Sequence, residues 1–127
     1  MTRERVLKVV LVLVGLAFLA GVFLVAESLW HQDQSMYTFD MMLSLYVTLG
    51  IFLLLAARNP SANRSVIAFA AWSSFAHGAV MAVMAAHLPN ERGDLLIAAA
   101  VFGVIGAALI VLAPPKESRE LAPAAAA

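Results

Sequence analysis

The chain has 127 residues, 63% hydrophobic and 13% charged, with a formal net charge of zero and no cysteine. Soluble domains are about half apolar and about a quarter charged, and a globule of this size cannot hide so much apolar surface from water, so lipid must act as its solvent. The missing thiols exclude disulfides, iron–sulfur clusters and thiolate zinc sites, and no basic run interleaves with aromatics, which excludes a nucleic-acid partner.

The opening MTRERVLK places Arg3, Arg5 and Lys8 before the apolar run Val9 to Ala26. A secretory signal has a core of about 7–15 residues and a small-residue cleavage site. Here the run is longer and continues into VAESLW without an A-x-A, so a retained first span over 6–26 is expected. The acidic stretch 27–40 is the first connection, with Trp30 and Tyr37 as rings that settle among headgroups. A second span over 40–57 is only just long enough, at about 1.5 Å per residue, to cross about 30 Å of hydrocarbon. In the cationic turn RNPSANRS, Pro60 cannot continue that helix, and Ser61 or Asn63 can cap the next. The third span covers 65–87, and Pro89, Asn90 and Gly93 mark the turn after it. The fourth covers 95–113, ended by Pro114 and Pro115, and the alanine-rich tail 116–127 is expected to be disordered.

Charge divides by side. The N-terminus, the 58–65 turn and the tail carry Arg3, Arg5, Lys8, Arg58, Arg64, Lys116 and Arg119. The opposite loops carry only Arg92, against Glu27, Asp33, Asp40, Glu91 and Asp94. Cytoplasmic loops are enriched in Lys and Arg, so both termini are expected in the cytoplasm. The fold class is then all-α: an integral membrane four-helix antiparallel bundle, up-down-up-down, within 1–115.

Lipid gives no hydrophobic push between helices, so small residues mark the close contacts. Ala71, Ser74, Gly78, Ala82 and Ala85 form a stripe on the third span, and Ala99, Gly103, Gly106 and Ala107 lie on the fourth. These two spans are expected to pair most tightly, through Gly78, Ala82, Gly103 and Ala107. Trp72, roughly opposite His77, is expected to face lipid or a neighbouring subunit.

His77 is the one ionisable side chain near the middle of a span, with Ser73 one turn before it and Ser74 beside that. Burial disfavours the imidazolium, so a neutral ring bonded to a neighbouring helix is the structural reading. A proton relay or ligand contact is the functional one. His77, Met81, Met84 and His87 form a stripe of soft and intermediate donors that would suit Cu(I). Methionine is also a routine gap filler, and His77 and His87 are about 15 Å apart along a helix, so no metal site is expected. A bis-histidine haem needs deep histidines on facing helices and only one is deep. Glu27, Asp33, Asp40, Glu91 and Asp94 make an acidic outer rim that concentrates cations or is simply solvated.

The opening RERVLKVVLVLVGLAF and the segment MMLSLYVTLGIFLLLAARNPSANRSVIAFAAWSSFAHGAVMAV resemble a small bacterial membrane family known only as a domain of unknown function. The likeness covers three spans well and the fourth in general character. It implies a multi-pass protein of the bacterial inner membrane and brings no activity, cofactor or site residues. By size and topology alone the chain is also similar to DoxX-like proteins, an analogy of fold. The expected role is a small accessory or scaffold subunit acting through helix contacts, its partners being the bilayer and itself or another membrane protein. The alternative is a small oligomeric transporter or channel with His77 and Ser73 lining a polar path. An enzyme is not expected, since no nucleophile–base pair assembles. The surroundings of His77 separate the first two: a filled bundle favours contact, and a polar cavity reaching the rim favours transport.

Overall fold

The computed structural model describes residues 2–114, so the tail expected at 116–127 lies outside the described residues. The helices are α1 (Arg3–Leu19), α2 (Gly21–Trp30), α3 (Tyr37–Ala56), α4 (Arg64–His87) and α5 (Arg92–Leu112), with single 3-10 turns at Gln34–Met36 and Pro60–Asn63. The ladder is interrupted between α1 and α2 only at Ala20, and Arg3–Trp30 is one apolar span. It is one of four, among the described residues, that are long and apolar enough to cross a membrane.

The first connection is shorter than 27–40. No glycine or proline interrupts the chain between Val22 and Trp30, and the helix runs through Glu27 and Ser28. It ends in a Schellman motif: Asp33 N–H donates to Ser28 O (3.1 Å), Gln32 N–H donates to Leu29 O (3.2 Å), and Gln32 takes a left-handed φ of 53°. The chain thus reverses within a few residues and sets α3 beside α2. A left-handed φ strains a residue with a Cβ by about 1 kcal/mol, and glycine loses more entropy on folding. Gln32→Gly is therefore expected to raise stability by about 0.5 kcal/mol, read as a higher thermal midpoint in mild detergent.

At the other end, the last carbonyls of α5 lack intrahelical donors and carry the negative end of the helix dipole. Arg3 Nη2 donates to Val111 O (2.7 Å) and Ala113 O (3.0 Å), and Arg64 Nε donates to Pro114 O (3.0 Å). The starts of α1 and α4 and the end of α5 are thereby tied together at one basic end. At the acidic end, Arg92 Nε donates to Ala85 O (2.9 Å) near the C-terminus of α4.

The bundle consists of two pairs. The most extensive contact is α4 on α5, followed by α1 and α2 on α3, while α1–α5 and α3–α4 meet less. Ala71, Ser74, Gly78 and Ala85 are buried on α4, and a Cβ on Gly78 would stand 3.2 Å from Ala99 O. Three of the four expected packing residues lie elsewhere: Ala82 and Ala107 are exposed, and nothing lies within 4 Å of a Cβ built on Gly103. The cause is the inward face of α5. It buries Leu109 and packs Phe102, which puts Ala99 and Gly106 on the contact and turns Gly103 and Ala107 to its flank. In the other pair Gly15 and Gly50 meet backbone to backbone.

The buried core is one-sided. Leu7, Leu11, Val14, Leu53, Ile67 and Leu109 pack together in the basic half of the bundle. In the acidic half α2 follows α3, and the two pairs leave space between them.

Candidate functional site

The space is a cavity of about 730 Å³ walled by all four spans, with Ala17, Gly21, Leu24, Leu43, Val80, Met84 and Leu95 among its lining. Its floor is a layer of four rings at the middle of the bundle. Phe18 meets Tyr46 edge-on at 5.1 Å between centroids, Tyr46 meets His77 at 5.2 Å, and Phe102 lies 4.4 Å from His77 and 5.7 Å from Tyr46. Edge-to-face geometry of this kind sets the positive ring edge against a neighbour's negative face. Each ring comes from a different helix, so the layer fixes the registers of α1, α3, α4 and α5 together. Below it lies packed side chain, and above it the open cavity.

His77 is half-buried in this layer and lines the cavity, held by aromatic neighbours where a hydrogen bond to an adjoining helix is expected. The structure does not bring its two expected companions to the cavity. Ser73 Oγ donates to Ala70 O at 3.2 Å, and Ser74, fully buried, donates to the same carbonyl at 2.7 Å. Both hydroxyls are satisfied within α4. The polar partner across the cavity is Tyr46, which sequence reasoning passed over. Its place midway along the second span was the available signal, because a buried phenol needs a hydrogen-bond partner.

The acidic rim also divides. Glu91 lines the mouth of the cavity, and Asp94 is exposed in the first turn of α5. Asp33 is committed locally, accepting from the backbone N–H (3.1 Å) and hydroxyl of Ser35. Asp40 is set below the rim: it is only 5% exposed, between α2 and α3, and accepts from Ser28 Oγ at 2.6 Å. It belongs to the first turn of α3, where the helix dipole favours a negative charge.

A family model described as a family of unknown function (DUF6632) matches residues 2–122. The chain belongs to the DUF6632 family. The match covers all four spans, and it agrees with the likeness to an uncharacterised membrane family seen in the sequence. No curated protein and no solved structure matches the chain. DUF6632 membership therefore supplies no site residues. Of the soft-donor stripe, His77, Met81 and Met84 lie on the cavity wall, while His87 is exposed. Among the described residues no group of three or more His, Asp or Glu is placed to hold a metal ion.

Proposed function

We propose that this multi-pass membrane protein holds a lipid-soluble small molecule between its helices. The molecule's apolar body fills the cavity, and a carbonyl or hydroxyl on it meets His77 and Tyr46 at the floor. The observation that carries this reading is a cavity of about 730 Å³ above two polar rings. Ligand pockets run from about 300 to 1,000 Å³, apolar with a few polar groups that orient the ligand, and about 730 Å³ over His77 and Tyr46 fits that pattern. The imidazole and the phenol are polar groups in a largely apolar wall, and a polar group withdrawn from water needs a hydrogen-bond partner. A bound carbonyl would accept from the Tyr46 hydroxyl, and a bound hydroxyl would donate to the neutral imidazole.

A bundle filled from end to end would favour contact alone, and a continuous polar path would favour a channel. The basic half is packed by Leu7, Leu11, Leu53, Ile67 and Leu109, which supports a one-ended binding site over a conduit. In this reading the accessory role becomes one of binding and presenting a molecule, with no bond made or broken. The charge asymmetry supports placing the basic end in the cytoplasm of a bacterial inner membrane, so that the cavity faces the outer leaflet.

The test is what co-purifies. Protein extracted from its membrane in mild detergent should release one species, about one per chain, enriched over the bulk lipid when analysed by mass spectrometry. Val80→Trp, which fills space at the cavity wall, should lose that species while keeping its thermal midpoint. His77→Ala should weaken its retention about fivefold, the worth of one neutral hydrogen bond. Equal occupancy in wild type and Val80→Trp, or no enriched species in wild type, would overturn the proposal.

A further inference from the structure

We infer that the cleft between α2 and α3 at the acidic end is a binding site for an organic ammonium ion, with Asp40 as its charge partner. The inference does not rest on the cavity reading, although Leu24 and Phe39 line both spaces, and it starts from a carboxylate that the fold leaves half served. One oxygen of Asp40 accepts from Ser28, but Oδ1 is buried with no hydrogen-bond partner. Asp40 lies in the first turn of α3, and that helix gives Oδ1 no donor. A buried charged oxygen without a partner is costly, and proteins relieve such a cost with a counter-charge. Neither α2 nor the 31–36 connection carries a lysine or arginine that would supply it.

Asp40 also forms part of the wall of a cleft of about 380 Å³. Glu27, His31 and Asp33 share that wall with the apolar side chains of Leu24, Met36 and Phe39. The carboxylates make the cleft attractive to a cation. Its size and lining select the kind. A water occupies about 30 Å³ of liquid, so the cleft is an order of magnitude larger than a single small ion needs. No set of three carboxylate or imidazole ligands converges on one point among the described residues. Three of the eight lining residues are apolar, and one of them, Phe39, supplies an aromatic ring of the kind that attracts a positive charge. A primary ammonium on an apolar body satisfies all of this. Its N–H groups donate to the carboxylate, and its body lies along Leu24, Met36 and Phe39.

The experiment uses the full chain in nanodiscs of zwitterionic phosphatidylcholine, titrated with dansylcadaverine, a fluorescent primary ammonium on an apolar body. Saturable fluorescence enhancement is expected, and the neutral dansylamide should not displace it. Asp40→Asn keeps the shape and an acceptor for Ser28, and should weaken binding at least tenfold, as expected for loss of a charge-assisted bond. Met36→Trp narrows the cleft, leaves the carboxylate in place, and should weaken binding likewise, which covers an Asp40→Asn protein that does not fold. Val80 lines the cavity but not the cleft, so Val80→Trp should bind dansylcadaverine as wild type does and separates this inference from the previous one. Unchanged affinity in Asp40→Asn or Met36→Trp would overturn the assignment. So would displacement by dansylamide, or by millimolar sodium or calcium, the latter assigning the cleft to an inorganic ion.

Discussion

Gly50→Ala is expected to destabilise the bundle by about 2 kcal/mol, whereas Gly103→Ala should leave it as stable or slightly more so. Both glycines lie inside helices, and composition does not distinguish them. The difference is what a methyl group would meet. At Gly50 it would stand 2.7 Å from Gly15 O, 2.9 Å from Leu19 N and 3.0 Å from Phe18 Cβ. Two of these are backbone atoms of α1 and cannot rotate aside, so α1 and α3 must separate along their contact. Overpacking of this kind costs up to about 3 kcal/mol, and alanine recovers about 1 kcal/mol through helix propensity. At Gly103 nothing lies within 4 Å, and only the propensity gain remains. Unfolding of the two variants in mixed micelles, followed by circular dichroism, checks both signs. Equal midpoints would mean that the α1–α3 contact gives way without loss.

This contrast also marks how far the sequence reaches. Long apolar runs between charged turns are a one-dimensional signal, and all four spans follow from it. So does the tight pairing of the last two, because small residues repeat along Ala71, Ser74 and Gly78. Which small residue faces a neighbour depends on helix rotation, and that is set by the large side chains that must be buried. On α5, Phe102 and Leu109 turn inward and take Gly106 with them, leaving Gly103 outside. The stripe in the sequence is compatible with either rotation. The site was legible in the same partial way. His77 stands out as an ionisable residue in an apolar run, but its companions Tyr46, Phe18 and Phe102 come from three other helices and share no spacing with it. Asp40 reads as a loop charge because the helix start at Tyr37 and the turn at Gln32, which place it opposite Ser28, are decided by tertiary packing and one left-handed residue.

Phe102→Ala is the substitution expected to cost most, about 3 kcal/mol. The ring lies against His77 at 4.4 Å, Tyr46 at 5.7 Å and Phe18 at 6.2 Å, so it touches every other member of the floor. It also packs against the buried core beneath. Removing a core phenylalanine down to alanine costs about 3–5 kcal/mol, and the half-buried position of this ring puts it at the low end. Phe102→Leu fills most of the same volume and should cost about 1 kcal/mol. The two variants separate packing from site architecture. Loss of stability alone would follow from any large-to-small change. If the ring is the floor of a binding cavity, Phe102→Ala should in addition deepen that cavity toward Ile105 and Leu109 and admit a longer apolar molecule than wild type retains. Thermal midpoints in mild detergent give the first quantity, and mass spectrometry of the molecules released on denaturation gives the second. An Phe102→Ala protein that loses less than about 1 kcal/mol would show that the four-ring layer does not hold the registers of the two pairs together, and the cavity above it would then have no fixed base.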